Sequence, residues 1–218
     1  MRSGRLLGLD GDAARLAAVG LVRLAAREWL GETGGTPAWV GGLRAASFAD
    51  AWLSFGDAPA PGLRVPASTV LPALAEQAAE LLLRSRAEDG PAALQWLGQR
   101  SAEAREQAAR EGVSHPAEPC ALTLVWHGVQ ALVAGDGPSH RARIEDRVEA
   151  YVRERHRRQD TLALVLDCAR IAAAALVELS EGDPGQVDGR LEGDAARAMP
   201  RGGPVPLWVP GRPWQPAG

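Results

Sequence analysis

The chain has 218 residues, 46% of them hydrophobic and 23% charged, with a formal net charge of −3, the balance of a globular protein of one domain or two small ones. All 24 basic side chains are arginine, and lysine and asparagine are absent, a bias expected from a GC-rich, bacterial genome. Without lysine there is no Schiff-base or pyridoxal-phosphate chemistry, no GKS/GKT phosphate loop and no lysine-based kinase site.

The first residues, Met1 to Leu9, start as a secretion signal does, but Asp10 and Asp12 interrupt the apolar run, so a cytoplasmic protein is expected. From Asp12, a cap candidate, to Leu30 the spacing predicts an amphipathic helix with Arg15, Arg23 and Arg27 on one stripe. Gly31 to Pro37 ends it. A short helix is expected around Ala45 to Phe55, before Pro59, Pro61 and Pro66 impose a loop. Ser68 or Thr69 can cap a helix to about Ala87, and Asp89-Gly90-Pro91 starts another that carries Leu94, Trp96 and Leu97, pairs Glu106 with Arg110 and stops at Gly112.

Pro119 can open a helix through about Ala134, its apolar face running from Leu122 to Leu132 and Val133, and closed by Gly135. Ser139 can cap the next, with Ile144, Val148, Tyr151 and Val152 inward. Asp160 can cap an apolar helix to about Ser180. The apolar run Thr161 to Leu179 approaches a membrane span in length, yet Asp167 and Arg170 would each cost about 2.5–3.5 kcal/mol in a bilayer centre. A core helix with no membrane contact is expected, and three helices joined by short turns should pack as antiparallel neighbours. Gly11 to Arg15 and Gly193 to Arg197 repeat the same five residues, as two helix starts sharing a capping preference would. From Met199 to Gly218 six prolines exclude a helix. Trp208 and Trp214 in this tail are expected partner-binding anchors.

The motifs that carry chemistry are few. Arg110 and His115 have the R-x4-H spacing, which resembles that of the HEPN ribonucleases, small helical bundles. That resemblance implies an Arg and a His acting together on a scissile phosphate. Leu6 to Asp12 resembles the first motif of haloacid-dehalogenase-type phosphatases, with Gly182-Asp183 and Asp188 similar to their late acidic motif. That resemblance implies aspartate nucleophile chemistry with magnesium, but Gly-Thr does not follow Asp12 and no lysine is present for the third motif. Cys120 and Cys168 are too few for a disulfide framework or a multi-cysteine zinc site. Cys120 and His127, two helical turns apart, lie about 10 Å from each other, too far for a catalytic hydrogen bond. His115, His140 and His156 show no paired ligand spacing, so neither metal nor cofactor is expected. Asp167 and Arg170, i,i+3 on an apolar helix, should form a buried ion pair that fixes register. Between Arg141 and Arg158 seven arginines face four carboxylates, and Arg153, Arg155, Arg157 and Arg158 make a basic end open to phosphate contact.

The expected fold is all-α, a bundle of about six or seven helices over residues 1–198, followed by the Pro/Trp-rich tail 199–218. The expected function is a non-enzymatic interaction or scaffold subunit of a larger assembly, with a protein partner or a second copy of itself. The alternatives are an accessory subunit touching RNA or DNA phosphates through residues 141–158, and a HEPN-like ribonuclease.

Overall fold

The computed structural model describes residues 4–31, 38–55, 64–112, 116–154 and 158–198. They form an all-α bundle of eight helices: α1 (Gly4–Trp29), α2 (Ala38–Trp52), α3 (Ala67–Ser85), α4 (Gly90–Arg110), α5 (Ala117–Ala134), α6 (Gly137–Glu154), α7 (Arg158–Leu179) and α8 (Pro184–Ala198). None is long and apolar enough to cross a membrane. The tail anchors Trp208 and Trp214 lie outside the described residues.

Packing centres on α7 and α3, which lie against each other; α1 and α5 pack on both. The reason is composition: Leu164, Val165, Cys168, Ala172, Ala173 and Leu176 of α7 are all fully buried, so α7 is apolar on most of its circumference and must be covered on several sides. Small residues allow the close approach. A Cβ on Gly128 of α5 would stand 2.7 Å from the Ala79 methyl and 3.1 Å from the Ala75 carbonyl oxygen of α3, so that crossing requires glycine.

Helix ends follow local chemistry in part. Asp89 caps α4, its Oδ1 accepting from the Ala92 amide at 2.9 Å, and Gly135 closes α5 in the left-handed region at φ 68°, as the sequence predicts. Elsewhere the caps differ. Pro66, with no side-chain hydrogen bond, precedes α3, and the Thr69 hydroxyl instead donates back to the Pro66 carbonyl at 2.7 Å. α1 starts at Gly4, eight residues before Asp12, and α2 starts at Ala38. Ser139 lies inside the first turn of α6 and Asp160 inside that of α7. The repeated pentapeptide falls in the interior of α1 and in the last turns of α8. These are propagation effects: once a packed helix exists, adding a residue costs little even where a capping side chain offers a stop.

Three further features depart from the sequence reading. Leu53–Ser54 and Val65–Pro66 pair as a two-residue parallel ladder, β1 and β2, where the end of a helix and a loop are expected; fully buried Leu53 and nearly buried Val65 anchor it. Residues 184–198 form α8 despite their polarity. Val187, Leu191, Ala195 and Ala198 make one buried stripe, and Asp183 Oδ1 caps it by accepting from the Gln186 amide at 2.7 Å. Finally, α6 leans on α5 and α3 rather than on α7, touching α7 where the Tyr151 hydroxyl donates to the Asp160 carbonyl at 3.4 Å. Ile144 and Val148 of α6 are buried as expected, but Leu132 and Val133 of α5 are exposed.

Candidate functional site

Several of the sequence candidates prove to be joints of the fold. Asp188 pairs with Arg23 at 3.2 Å and Arg27 at 3.6 Å, tying α8 to α1. The Arg23 side chain is only 7% exposed, and its Nε has no aligned hydrogen-bond acceptor, so charge proximity rather than hydrogen-bond geometry holds this joint. The expected solvent stripe of Arg15, Arg23 and Arg27 is therefore broken, with Arg23 buried under α8. Asp10 and Asp12 sit within α1, Asp183 caps α8 and Asp188 pairs with arginine, so the phosphatase-like motifs fall on the helices of an all-α fold.

Asp167 and Arg170 do meet, at 3.3 Å, but with Arg170 49% exposed and Asp167 21%. The pair lies at the rim of α7 rather than in its core, because the arginine stem reaches outward and leaves the carboxylate half-sheltered. Burial lifts the Asp167 carboxyl to about 6, against the opposing pull of Arg170. Cys168 is fully buried beside Cys120 and Asp167, and its thiol is pushed well above the ordinary range, chiefly by burial, which makes it an inert core residue.

The basic end resolves into arginines with and without partners. Arg153 pairs with Glu149 on its own helix. Arg158 pairs with Asp50 of α2 and lies over the Phe55 ring at 5.5 Å, so it fastens α7 to α2. Arg155 and Arg157 lie outside the described residues, as does His115, the partner expected for Arg110. Arg141 is shared by Glu76 at 3.3 Å and Glu145 at 3.2 Å. Arg143 and Arg147, by contrast, are exposed and have no ion-pair partner among the described residues.

The free arginines share a stripe of α6 with His140, which precedes them by three and seven positions. His140 is 7% exposed, and its Nδ1 has no hydrogen-bond partner. Across the α5–α6 turn, His127 brings a second ring with its centroid 6.4 Å from that of His140, also with an unpartnered Nδ1. Trp126 meets His127 edge-on at 5.2 Å. Burial holds His127 below the ordinary histidine range, reinforced by Arg147, His140 and Arg143, while Gln130 pulls the other way. Arg147, His140 and Arg143 thus all lie near enough to His127 to disfavour its protonated form. Sequence reasoning missed this juxtaposition, since His127 and His140 fall on different helices.

A second feature is a cleft of about 250 Å³ between α1, α3 and α8, lined by Arg15, Glu76, Gln77, Glu80, Asp194 and Arg197. Its charges are largely spent on one another or on neighbours: Arg197 pairs with Asp194, Glu76 with Arg141 and Glu80 with Arg84. Burial raises the Glu76 carboxyl, partly offset by Arg141 and Arg15. The cleft is smaller than a usual small-molecule pocket, about 300 Å³ or more. Among the described residues no three His, Cys, Asp or Glu side chains stand together as metal ligands would.

A third feature is one end of the bundle. Arg27 near the end of α1 meets Asp188 near the start of α8. Arg86, just after α3, meets Glu178 near the end of α7 at 3.2 Å. Val133 at the end of α5 lies against Gly90 at the start of α4. These contacts and the short α3–α4 turn gather those ends together, and there Trp29 (63% exposed), Leu132 (45%) and Val133 (51%) face solvent. Comparison with known proteins finds no matching family, no similar curated protein and no similar solved structure.

Proposed function

We propose that the chain is a non-enzymatic helical interaction subunit of a larger bacterial assembly, and that it meets a protein partner with the end of the bundle bearing Trp29, Leu132 and Val133. The observation that supports this reading is their placement: the large apolar side chains left exposed among the described residues sit at that one end, where the core gains nothing from them. Single exposed apolar residues are ordinary, and three at the same end of a bundle offer apolar surface that a partner can bury. Tryptophan is also the side chain most often found as an energetic anchor of interfaces.

The test is co-purification from the native host of the full chain and of a Trp29→Ala/Leu132→Ser/Val133→Ser variant, with sedimentation analysis of each alone. The reading expects a stoichiometric partner, or a homodimer, with the wild type and its loss with the variant, while circular dichroism and melting stay unchanged. A variant that keeps every partner and the same oligomeric state would refute it.

A further inference from the structure

From the α5–α6 face we infer that His127, His140, Arg143 and Arg147 form a binding site for a phosphate group. Three observations converge. Arg143 and Arg147 are solvent-facing and unpaired among the described residues, although the same helix neutralises Arg141 and Arg153 with its own carboxylates. His140 is more than nine-tenths buried with an unpartnered ring nitrogen, and it faces His127 at 6.4 Å. Arg147, His140 and Arg143 lie close enough to His127 to disfavour its protonated form.

An arrangement of like charges is unfavourable while empty and becomes favourable when an anion enters. Arginine presents a planar fork that matches phosphate oxygens two at a time. Beside the arginines, the His127 and His140 rings add imidazole groups held in place by packing. Position adds to this, since His140 lies in the first turn of α6, where the helix dipole favours negative charge. The nearby carboxylates of Glu76 and Glu145 are both engaged by Arg141, so they do not compete for the site.

The phosphate can be carried by a small phosphate ester or by a nucleic-acid strand, and the two sources separate experimentally. Inorganic phosphate is titrated into the full chain while the histidine ring resonances are followed by NMR, and a labelled short single-stranded DNA is titrated by fluorescence anisotropy over a range of salt. The site predicts that phosphate moves the His127 and His140 resonances and raises the His127 pKa. Arg143→Ala/Arg147→Ala should weaken binding at least tenfold, and Arg153→Ala should leave it unchanged. If a strand is the carrier, DNA binds far more tightly than phosphate, and the double variant flattens the slope of log affinity against log salt by about 1.4, about 0.7 for each phosphate no longer neutralised. If DNA binds no better than phosphate, the ligand is a small ester. The site is refuted if neither probe moves the two histidines, or if the double variant binds as the wild type does. The bundle-end variant leaves His127, His140, Arg143 and Arg147 in place, and the double arginine variant leaves Trp29, Leu132 and Val133 in place, so loss of the protein partner and loss of phosphate binding are read on different variants.

Discussion

Helices α6 and α7 follow one another in the chain and use their residues in opposite ways. α7 is buried around most of its circumference, and the charged pair in its middle, Asp167 and Arg170, is displaced to the rim. α6 buries a single stripe, His140, Ile144, Val148 and Tyr151, and gives the remainder to charge. Burial of an apolar side chain stabilises by about 1.5–3 kcal/mol, whereas exposed ion pairs contribute at most about 1 kcal/mol. Stability is therefore concentrated in α7 and its neighbour α3. α6 is the surface on which substitutions change contacts without threatening the fold.

This contrast can be broken or sharpened by substitution. The largest effect is expected at Leu176, fully buried in α7: Leu176→Ala should cost about 3–4 kcal/mol in denaturant unfolding, from reduced burial plus an unfilled cavity. Next is Gly128→Val, which forces a side chain into the Ala75 carbonyl and Ala79 methyl and should cost about 2–3 kcal/mol by overpacking. A cost below about 1 kcal/mol at either position would mean that the α3, α5 and α7 seam is not the stabilising core.

A smaller effect of opposite sign is expected at Asp167. Its carboxyl is raised from 3.8 to about 6, so the folded state holds the proton more tightly than the unfolded state does. The charged form thus costs stability above pH 6, and the cost is relieved as pH falls from about 6 toward 4. Asp167→Asn should stabilise by about 1–2 kcal/mol at pH 8, less than the full linkage value because the Arg170 contact is weakened. It should gain nothing at pH 4. His127 acts in the other direction: with its folded pKa depressed, the unfolded chain protonates first and stability falls as pH drops through the ordinary histidine range. His127→Gln should remove that component. Unfolding curves at several pH values would separate the two groups. The smallest stability effect is expected on α6, where Arg143→Ala/Arg147→Ala should change unfolding by less than about 0.5 kcal/mol.

Much of the bundle was legible in the sequence because helix propensity and apolar spacing agree there. Ile144, Val148 and Tyr151 lie on one face, Asp89 caps, and Gly135 ends a helix at positive φ. Of α8 only a helix start at Gly193 was legible, nine residues after the helix begins at Pro184. It is held by a four-residue stripe and by Arg23 and Arg27, which lie far away in sequence. The start of α1 was misplaced for a related reason: Asp12 has the chemistry of a cap, but the helix continues through it. The candidate site divides in the same way. Arginine clustering on α6 was visible, but which arginines already have partners depends on Asp50, Glu76 and Glu149 being brought alongside. His127 and His140 meet only through the packing of α5 on α6, and the tight Gly135 to Gly137 turn was the one local signal of it.

The most direct measurement is native-state amide hydrogen exchange on the full chain, with and without saturating phosphate. In the free protein, the α7 and α3 amides should exchange only through global unfolding, while α6 opens at lower free energy. Phosphate should raise protection in α6 and the adjoining end of α5 well beyond any general increase. Protection of α6 equal to that of α7 in the free protein, or a phosphate effect that bypasses α6, would contradict the division between a stabilising core and a contact face.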